Sequence, residues 1–377
     1  MADADDPSEA TTEVSVNPYT SRCIPQELLF DIFSRLPAQV LHDVVRYVCK
    51  EWNLVIRSPS FASHHLRNST PGIMIQDWRS VHNAIYVEMR RGCLEICKFD
   101  SGFGHLVFNS CDGLVLAPDP RDKHILYVVN PLTKQRIILP PYFCETGHLA
   151  EFGLAFVEAS MEYKVVHAYC NESFNQCTQI AVLTIGVDKV WRHIDVQHLS
   201  RATRGPLMSL PWVTGGYIHW VSETFTFLLT LNVETETIRR FPLPEIPKIC
   251  GKFLPMGSNL SFANEAKESF MDVWEMNSET GEWSISLSFD LKPLIYRFED
   301  LFGEYANAII PSGWLVVREV LVFSTIGLQT RCMTYNVKTR EIQSFELDTN
   351  KVSRFFRPHV NSLVRLEEDF LVAPTTK

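Results

Sequence analysis

The feature that most constrains the fold of this chain is a turn motif that recurs along most of its length. Four clear copies and a weaker fifth begin at Asn130, Asn232, Met276, Asn336 and Ile185. Each copy reads as a strand, a tight turn rich in Asn and Thr, and a returning strand, because Asn and Thr side chains bond the local backbone where a chain reverses. The copies are roughly 45 to 60 residues apart, which is the length of one four-stranded propeller blade. The repeat therefore predicts a β-propeller, either an incomplete ring or a closed one of six or more blades in which some copies have diverged.

The N-terminal region has a different pattern. Residues 1–22 are acidic and lack apolar periodicity, which predicts a disordered tail. Residues 23–67 show helical spacing in three segments, with these apolar positions: Leu28, Leu29, Ile32, Phe33 and Leu36; Val40, Leu41, Val44, Val45 and Val48; Trp52, Val55 and Ile56. Pro25 and Pro37 bound the first helix, and Ser58-Pro59 ends the third. The predicted fold class is α+β by segment, with a small N-terminal three-helix domain followed by an all-β, propeller-like domain over 68–377.

A helical domain this short cannot bury much apolar surface by itself, because domains of its size usually need a partner, a metal or a disulfide. One interpretation is a helical cap that packs on the β domain, with its Leu and Val residues as ordinary core. The other is that part of the apolar surface binds a partner protein. Periodicity alone favours the cap, since apolar stripes are more often core than interface.

The order of several unusual residues favours the partner. The sequence runs Ile24-Pro25-x-Glu27-Leu28-Leu29-x-x-Ile32-Phe33-x-Arg35-Leu36-Pro37, then Val48-Cys49-Lys50-x-Trp52, then Ser58-Pro59-x-Phe61. This pattern resembles the F-box, a motif that binds the Skp adaptor of cullin-based ubiquitin ligases. Carried over by position, the resemblance implies these adaptor-binding residues: Ile24, Pro25, Leu28, Leu29, Ile32, Leu36, Pro37, Val48 and Trp52.

The β region also resembles a known domain. Asp112-Gly113-Leu114, Asn130-Pro131-Leu132-Thr133 and the stop at Leu139-Pro140-Pro141 are similar to the F-box-associated domain of plant F-box proteins. Gly215-Gly216 followed by Trp220 resembles a kelch blade. Together the resemblances imply a substrate-recognition subunit of a Skp–cullin–F-box ubiquitin ligase, in which the β domain holds a protein target and other subunits perform the chemistry.

Composition and charge exclude several other classes. The net charge of −9, without a run of basic residues, argues against nucleic acid as the main partner. Neither a signal peptide nor an 18-residue apolar span is evident, so we expect no membrane association and a place in the cytoplasm or nucleus. The ten cysteines are expected to be reduced and mostly small core residues, and we expect no metal or other cofactor.

No catalytic motif is evident, and no residue is nominated as catalytic. His64-His65 is expected to be solvated on a short surface helix. Two alternatives stay open, namely a propeller-type binding module, lectin or enzyme with a vestigial helical cap, and an F-box protein that pairs with the adaptor outside a ligase. Target specificity is expected in loops on one face of the ring, around residues 140–148, 200–211 and 246–260.

Overall fold

The computed structural model describes residues 24–77, 84–99, 103, 105–122, 124–142, 151–171, 177–244, 251–265, 269–302, 309–325, 331–347 and 354–366. The acidic tail predicted for residues 1–22 lies outside these described residues. The N-terminal helices are α1 Gln26–Ser34, α2 Ala38–Asp43, α3 Lys50–Arg57 and α4 Pro59–Asn68, with a single 3-10 turn at Val45–Tyr47 between α2 and α3. Two further helices, α5 Arg201–Arg204 and α6 Lys292–Phe302, lie within the β region.

The described strands form six antiparallel sheets of four strands each. In chain order the strands are β1 Gly72–Asp77, β2 Ala84–Arg90, β3 Cys93–Phe99, β4 Asn109–Cys111, β5 Leu114–Pro118, β6 Leu126–Val129, β7 Arg136–Ile138, β8 Glu151–Val157, β9 Glu162–Asn171, β10 Cys177–Thr184, β11 Arg192–Ile194, β12 Trp212–Thr214, β13 Tyr217–Val221, β14 Phe227–Asn232, β15 Thr237–Pro242, β16 Lys252–Met256, β17 Asn259–Glu265, β18 Phe270–Met276, β19 Trp283–Asp290, β20 Ile309–Val316, β21 Val320–Thr325, β22 Arg331–Asn336, β23 Ile342–Glu346 and β24 Arg354–His359.

The sheets are the blades of a closed six-bladed propeller. The first blade joins the two ends of the domain, because β24 pairs with β1 so that Gly72 faces His359 and Asp77 faces Arg354. The remaining blades are β4–β7, β8–β11, β12–β15, β16–β19 and β20–β23. Within the described residues, an apolar cluster fills each of the six junctions between neighbouring blades. The propeller predicted from the repeat is thus confirmed, and the ring is closed.

The recurring turn joins the third and fourth strands of a blade. Asn130, Asn232, Asn277 and Asn336 each accept two hydrogen bonds at Oδ1, from the backbone N–H groups two and three residues later, at 2.9 to 3.3 Å. In each of these turns the residue that follows the Thr takes a positive φ, for example 76° at Gly281 and 63° at Arg340. The side chain thus substitutes for backbone bonds that the reversal leaves unmade.

Two blades use different turns. In the third blade there is no such Asn, and Asp188 Oδ2 instead accepts a hydrogen bond from the N–H of Thr184, four residues earlier, at 2.8 Å. In the first blade only Arg91 and Gly92 separate β2 from β3, with φ of 51° and 79°. Such a two-residue turn with two positive φ values has no room for the Asn and Thr positions, so the sequence pattern missed it.

The order of strands decides what lies at each end of the ring. Helix α4 leads directly into the start of β1, which faces the end of β24, so the helical domain lies where the innermost strands end. The connections that precede innermost strands lie at the opposite end. Residues 200–211, with α5, form one of them, whereas 143–148 and 245–250 lie outside the described residues. The loop predicted over 246–260 is wrong in part, because it contains β16, whose Pro255 is tolerated on an edge strand that donates few ladder bonds.

A buried histidine links three strands of the fourth blade. The ring nitrogens of His219 share hydrogen bonds with the Thr214 hydroxyl at 2.8 Å and the Thr230 hydroxyl at 2.9 Å. The ring is fully buried, and this burial lowers the pKa of His219 to about 3. Because unfolding releases a histidine that titrates near 6.5, protons bind the unfolded state first. His219 therefore contributes stability that is complete above about pH 6.5 and is lost as the pH falls toward the folded pKa.

We expect His219→Gln to flatten the acid limb of the stability curve, by about 1.4 kcal/mol per pH unit below about pH 6.5. Urea unfolding of the full chain at a series of pH values measures this slope. The matched control is His198→Gln, since His198 is exposed. An unchanged slope in His219→Gln would contradict the assignment of a neutral, buried imidazole.

Candidate partner-binding surface on the helical domain

Prolines and side-chain caps set where the helices begin. The carbonyl of Pro25 accepts the first backbone hydrogen bonds of α1, from Leu28 and Leu29, both at 3.1 Å. Pro37 separates α1 from α2 and stands at the N-cap of α2. At α4 the Ser58 hydroxyl accepts a hydrogen bond from the Phe61 N–H at 3.3 Å, and Pro59 occupies the first turn. These signals place all four helices within 43 residues of sequence, from 26 to 68.

The core of the helical domain is aromatic at its centre. Phe61 is fully buried, and its ring lies 4.9 Å from Phe30 and 6.3 Å from Phe33 in edge-to-face geometry. Phe33 also contacts Trp52, with ring centroids 5.1 Å apart. The other buried apolar side chains of these helices are Leu29, Ala38, Leu41, Val45, Val55, Ile56 and Ala62. The four helices therefore pack around one apolar core.

A second set of apolar side chains on the same helices faces outward. On α1 the exposed fraction is 54% for Leu28 and 47% for Ile32, whereas Leu29 and Phe33, each one residue later, are buried. The full exposed set is Ile24, Leu28, Ile32, Val40, Val44, Tyr47, Val48 and Leu54, and we call it the apolar surface of the helical domain. Apolar side chains gathered at this density on so small a domain are typical of a protein–protein interface.

The sequence-predicted residues fall into three groups. Ile24, Pro25, Leu28, Ile32 and Val48 are exposed. A partly buried group consists of Leu36, Pro37 and Trp52, of which Leu36 and Trp52 pack against the helical core. Leu29 is 4% exposed and lies within the core, so it supports the surface and does not form part of it.

Four residues of the apolar surface were not among the predicted binding residues. They are Val40, Val44, Tyr47 and Leu54, with exposed fractions between 38% and 70%. The signal for Val40 and Val44 was present in the sequence, because they are four residues apart, with Val48 four residues further on, in the second helix that the sequence predicts. Tyr47 follows Val44 by three residues and so fits the same spacing, although α2 ends at Asp43 in the structure and Tyr47 lies in the 3-10 turn.

The helical domain is joined to the propeller through the C-terminal segment that follows β24. Leu363 of this segment is 3% exposed and belongs to the helical core, with Leu132 of the second blade packed beside it. The Asn130 side-chain amide donates to the carbonyls of Ser362 at 3.0 Å and Val364 at 2.7 Å. The Asn130 turn therefore anchors the segment that carries Leu363 into the helices.

Asp112-Gly113 holds the same segment from its other side. The Ser362 hydroxyl donates to the Asp112 carbonyl at 2.6 Å. Gly113 has a φ of 82°, and a Cβ at this position would lie 2.3 Å from the Ser362 hydroxyl oxygen and 2.7 Å from the Val360 carbonyl oxygen. Only glycine satisfies both the backbone conformation and the close approach. Two of the three sequence patterns that resemble the F-box-associated domain thus contact the C-terminal segment.

His65 corrects the expectation that the His64-His65 pair is solvated. His65 is 3% exposed, and its Nε2 lies 2.7 Å from the Leu36 carbonyl oxygen. Burial lowers the pKa of His65, against the opposing effect of the hydrogen bond to Leu36. The ring therefore ties α4 to the end of α1, and the aromatic face of Phe61 packs against it.

Groups that could hold a metal were not found among the described residues. The expectation that the cysteines are mostly core residues is wrong for Cys49, Cys93 and Cys97, which are exposed, whereas Cys332 is buried. In the part of the chain that the structure describes, no helix has the length and apolar character needed to cross a bilayer.

Comparison with known proteins finds two matching domain families. The family described as F-box associated beta propeller domain matches residues 91–369, and the family described as F-box-like matches residues 22–68. The chain is 25% identical over 336 residues to F-box protein At5g07610 of Arabidopsis thaliana, covering 80% of this chain and 76% of that protein. It is 24% identical over 324 residues to Putative F-box/kelch-repeat protein At1g13200 of Arabidopsis thaliana, covering 71% and 72%. Among solved structures, a chain of the nidogen/laminin complex is similar with a TM-score of 0.43 and 10% identity, covering 77% of this chain and 99% of that chain.

We expect Leu363→Ala to destabilise the helical domain by about 2 to 4 kcal/mol, because it leaves a cavity in a core that lies 300 residues away in sequence. Hydrogen exchange of the full chain measures this effect as lost amide protection in α1 to α4. The neighbouring Val364→Ala is the control, since Val364 packs against the cluster between the second and third blades. Equal protection of the helices in Leu363→Ala and the parent would contradict the joint described above.

Proposed function

Because this chain belongs to the F-box proteins that carry an F-box-associated β-propeller, we propose that it is the substrate receptor of a Skp–cullin–F-box ubiquitin ligase. An F-box implies a Skp-type adaptor as partner. The proposal adds that the adaptor is joined to a cullin and that the propeller holds a protein target for ubiquitin transfer. The receptor would act in the cytoplasm or nucleus.

The observation that carries the proposal is the apolar surface of the helical domain. Its residues belong to the segment that matches the F-box, yet they are not used in the core or in the joint to the propeller. Burial of apolar area contributes about 25 cal/mol per Å², so covering this surface with a partner gives a gain that opposes the loss of rotational and translational freedom on binding. The Skp adaptor is the partner that the F-box implies.

The receptor itself would perform no bond chemistry. Its contribution would be proximity, because a target held on the propeller has a high effective concentration at the ubiquitin-loaded enzyme. The F-box relatives favour a receptor over an enzyme. An F-box protein that works outside a ligase would also bind the adaptor, but it would not be joined to a cullin.

We expect the double variant Leu28→Asp, Ile32→Asp to bind the Skp adaptor about a hundredfold more weakly than the parent, because two charges would replace two exposed apolar side chains of the surface. Both side chains are about half exposed, so the fold should tolerate the change. Affinity is measured by titration of purified full-length chain with the adaptor, and thermal unfolding verifies the fold.

The matched control is the double variant Val187→Asp, Val190→Asp, which places two charges on exposed apolar residues of the third blade. It should bind the adaptor as the parent does. Unchanged affinity in the Leu28, Ile32 variant would refute the assignment of the surface. Co-elution of chain, adaptor and cullin tests the ligase, and adaptor binding without cullin would favour a pair outside the ligase.

A further inference from the structure

A cleft of about 940 Å³ separates the helical domain from the third blade of the propeller. Helix α4 lines it with Ala62 and Leu66, and the hairpin of β8 and β9 lines it with Phe156 and Met161. The C-terminal segment after β24 also contributes, through Leu366. Three parts of the fold thus meet at this cleft, and its size is within the range of known ligand sites.

Part of the lining is apolar and accessible. Met161 is 62% exposed, and its φ of 57° places it in the turn between β8 and β9. Leu66 of α4 is half-buried. On the propeller side, the ring of Phe156 packs against that of Tyr163, with centroids 4.8 Å apart, which stabilises this wall. An accessible Met suits the binding of a second apolar side chain, because its flexible thioether adapts to the shape of a ligand.

Three arginines line the same cleft. Arg57 is the last residue of α3, Arg67 lies in the last turn of α4, and Arg365 belongs to the C-terminal segment. Arg57 and Arg67 are exposed, and within the described ranges neither forms a salt bridge or a side-chain hydrogen bond. Their guanidinium groups are therefore available to carboxylates, which arginine can bind with two parallel hydrogen bonds.

Two carboxyl groups share the cleft with the arginines. The Oδ2 atom of Asp112 accepts a hydrogen bond from the Tyr163 hydroxyl at 3.2 Å, and burial raises the pKa of this carboxyl group. Glu158 is exposed in the turn between β8 and β9, and it forms no salt bridge in the part of the chain that the structure describes. The cleft therefore has an excess of positive charge, although the whole chain carries a net charge of −9.

We propose that this cleft binds an acidic peptide segment that also carries apolar side chains. Its carboxylates would pair with Arg57 and Arg67, and its apolar side chains would pack against Leu66 and Met161. That the segment belongs to a protein target rests on the receptor function proposed above. Arg and Met are enriched at protein–protein interfaces, and the mixture of basic and apolar side chains fits a peptide better than a simple anion.

The cleft is separate from the apolar surface of the helical domain. None of the eight residues of that surface is among the described residues that line the cleft. The adaptor and the peptide are therefore expected to bind the same molecule together. A segment in the cleft would contact both the helices and the propeller, which would fix its position relative to the adaptor.

The test measures binding of three labelled peptides to the full-length chain. Their sequences are Glu-Glu-Phe-Leu-Glu, Gln-Gln-Phe-Leu-Gln and Glu-Glu-Ser-Ser-Glu. We expect the first to bind about tenfold more tightly than either of the others, because the second lacks the charges and the third lacks the apolar side chains. The preference for the Glu over the Gln peptide should disappear in the double variant Arg57→Gln, Arg67→Gln. Both arginines are exposed, so the fold should tolerate the change, and thermal unfolding verifies it.

The matched control is the double variant Arg121→Gln, Arg201→Gln. It removes two exposed arginines, one from the connection between β5 and β6 and one from α5. This control should bind all three peptides as the parent does. The single variant Met161→Ser tests the apolar part of the cleft, and it should reduce the preference for the first peptide over the third.

Equal binding of the Glu and Gln peptides would overturn the proposal, as would a preference that persists in Arg57→Gln, Arg67→Gln. Loss of peptide binding in the presence of saturating adaptor would also overturn it, because the cleft would then belong to the adaptor interface.

An acidic run, Glu367-Glu368-Asp369, follows Leu366 in the sequence and is the competing occupant. Peptide binding that appears only in the triple variant Glu367→Gln, Glu368→Gln, Asp369→Asn would assign the cleft to this run and overturn binding of a partner. Adaptor affinity is measured on the same protein samples. If the adaptor binds and the peptide preference fails, the receptor function stands without this cleft. If the preference holds and the adaptor does not bind, the cleft is a peptide site in a protein with another role.

Discussion

The pairing of β24 with β1 is the interaction on which the rest of the structure depends. It supplies the innermost strand of the first blade from the C-terminal end of the domain, so the ring closes only when both ends are in place. The chain then continues into the segment that the Asn130 amide and Ser362 hold against the second blade, and Leu363 completes the helical core. Closure of the propeller and support of the helical domain therefore depend on each other, because the same stretch of about a dozen residues, β24 and the segment after it, serves both.

Much of the fold could be predicted because the blades of the propeller repeat the same local turn. The Asn side chain that closes four of the six turns is visible in the sequence, and its spacing gives the blade length. The first blade escaped detection because the Arg91-Gly92 turn achieves the reversal with backbone conformation alone. The strand β16 was mistaken for loop because Pro255 and its flanking glycines break strands in most contexts. An innermost strand has a free edge, where a missing N–H costs little.

The candidate partner-binding surface was harder to predict because α1 is apolar on two adjacent faces. Leu28 and Ile32 share the four-residue spacing of Leu29 and Phe33, and periodicity cannot say which pair is core. The F-box resemblance named members of both pairs. Leu29 and Phe33 are the core pair because they pack in one cluster with Phe61 of α4 and Leu363 of the C-terminal segment. Burial of His65 was not predictable from local sequence either, because its hydrogen-bond partner, the Leu36 carbonyl, lies 29 residues earlier.

The two ends of the ring differ in what they present. The apolar surface belongs to the helices at one end, and the 200–211 connection lies at the other. The innermost strand β8 has seven residues and spans about 23 Å, which separates the two ends. The joint between the helical domain and the propeller is short and specific, because Leu363 and the Asn130 amide leave little freedom there. In the proposed receptor, proximity is effective only if the target is held in a fixed direction relative to the adaptor. That direction would be set by the C-terminal segment, whereas the loops of the propeller would decide which target is held.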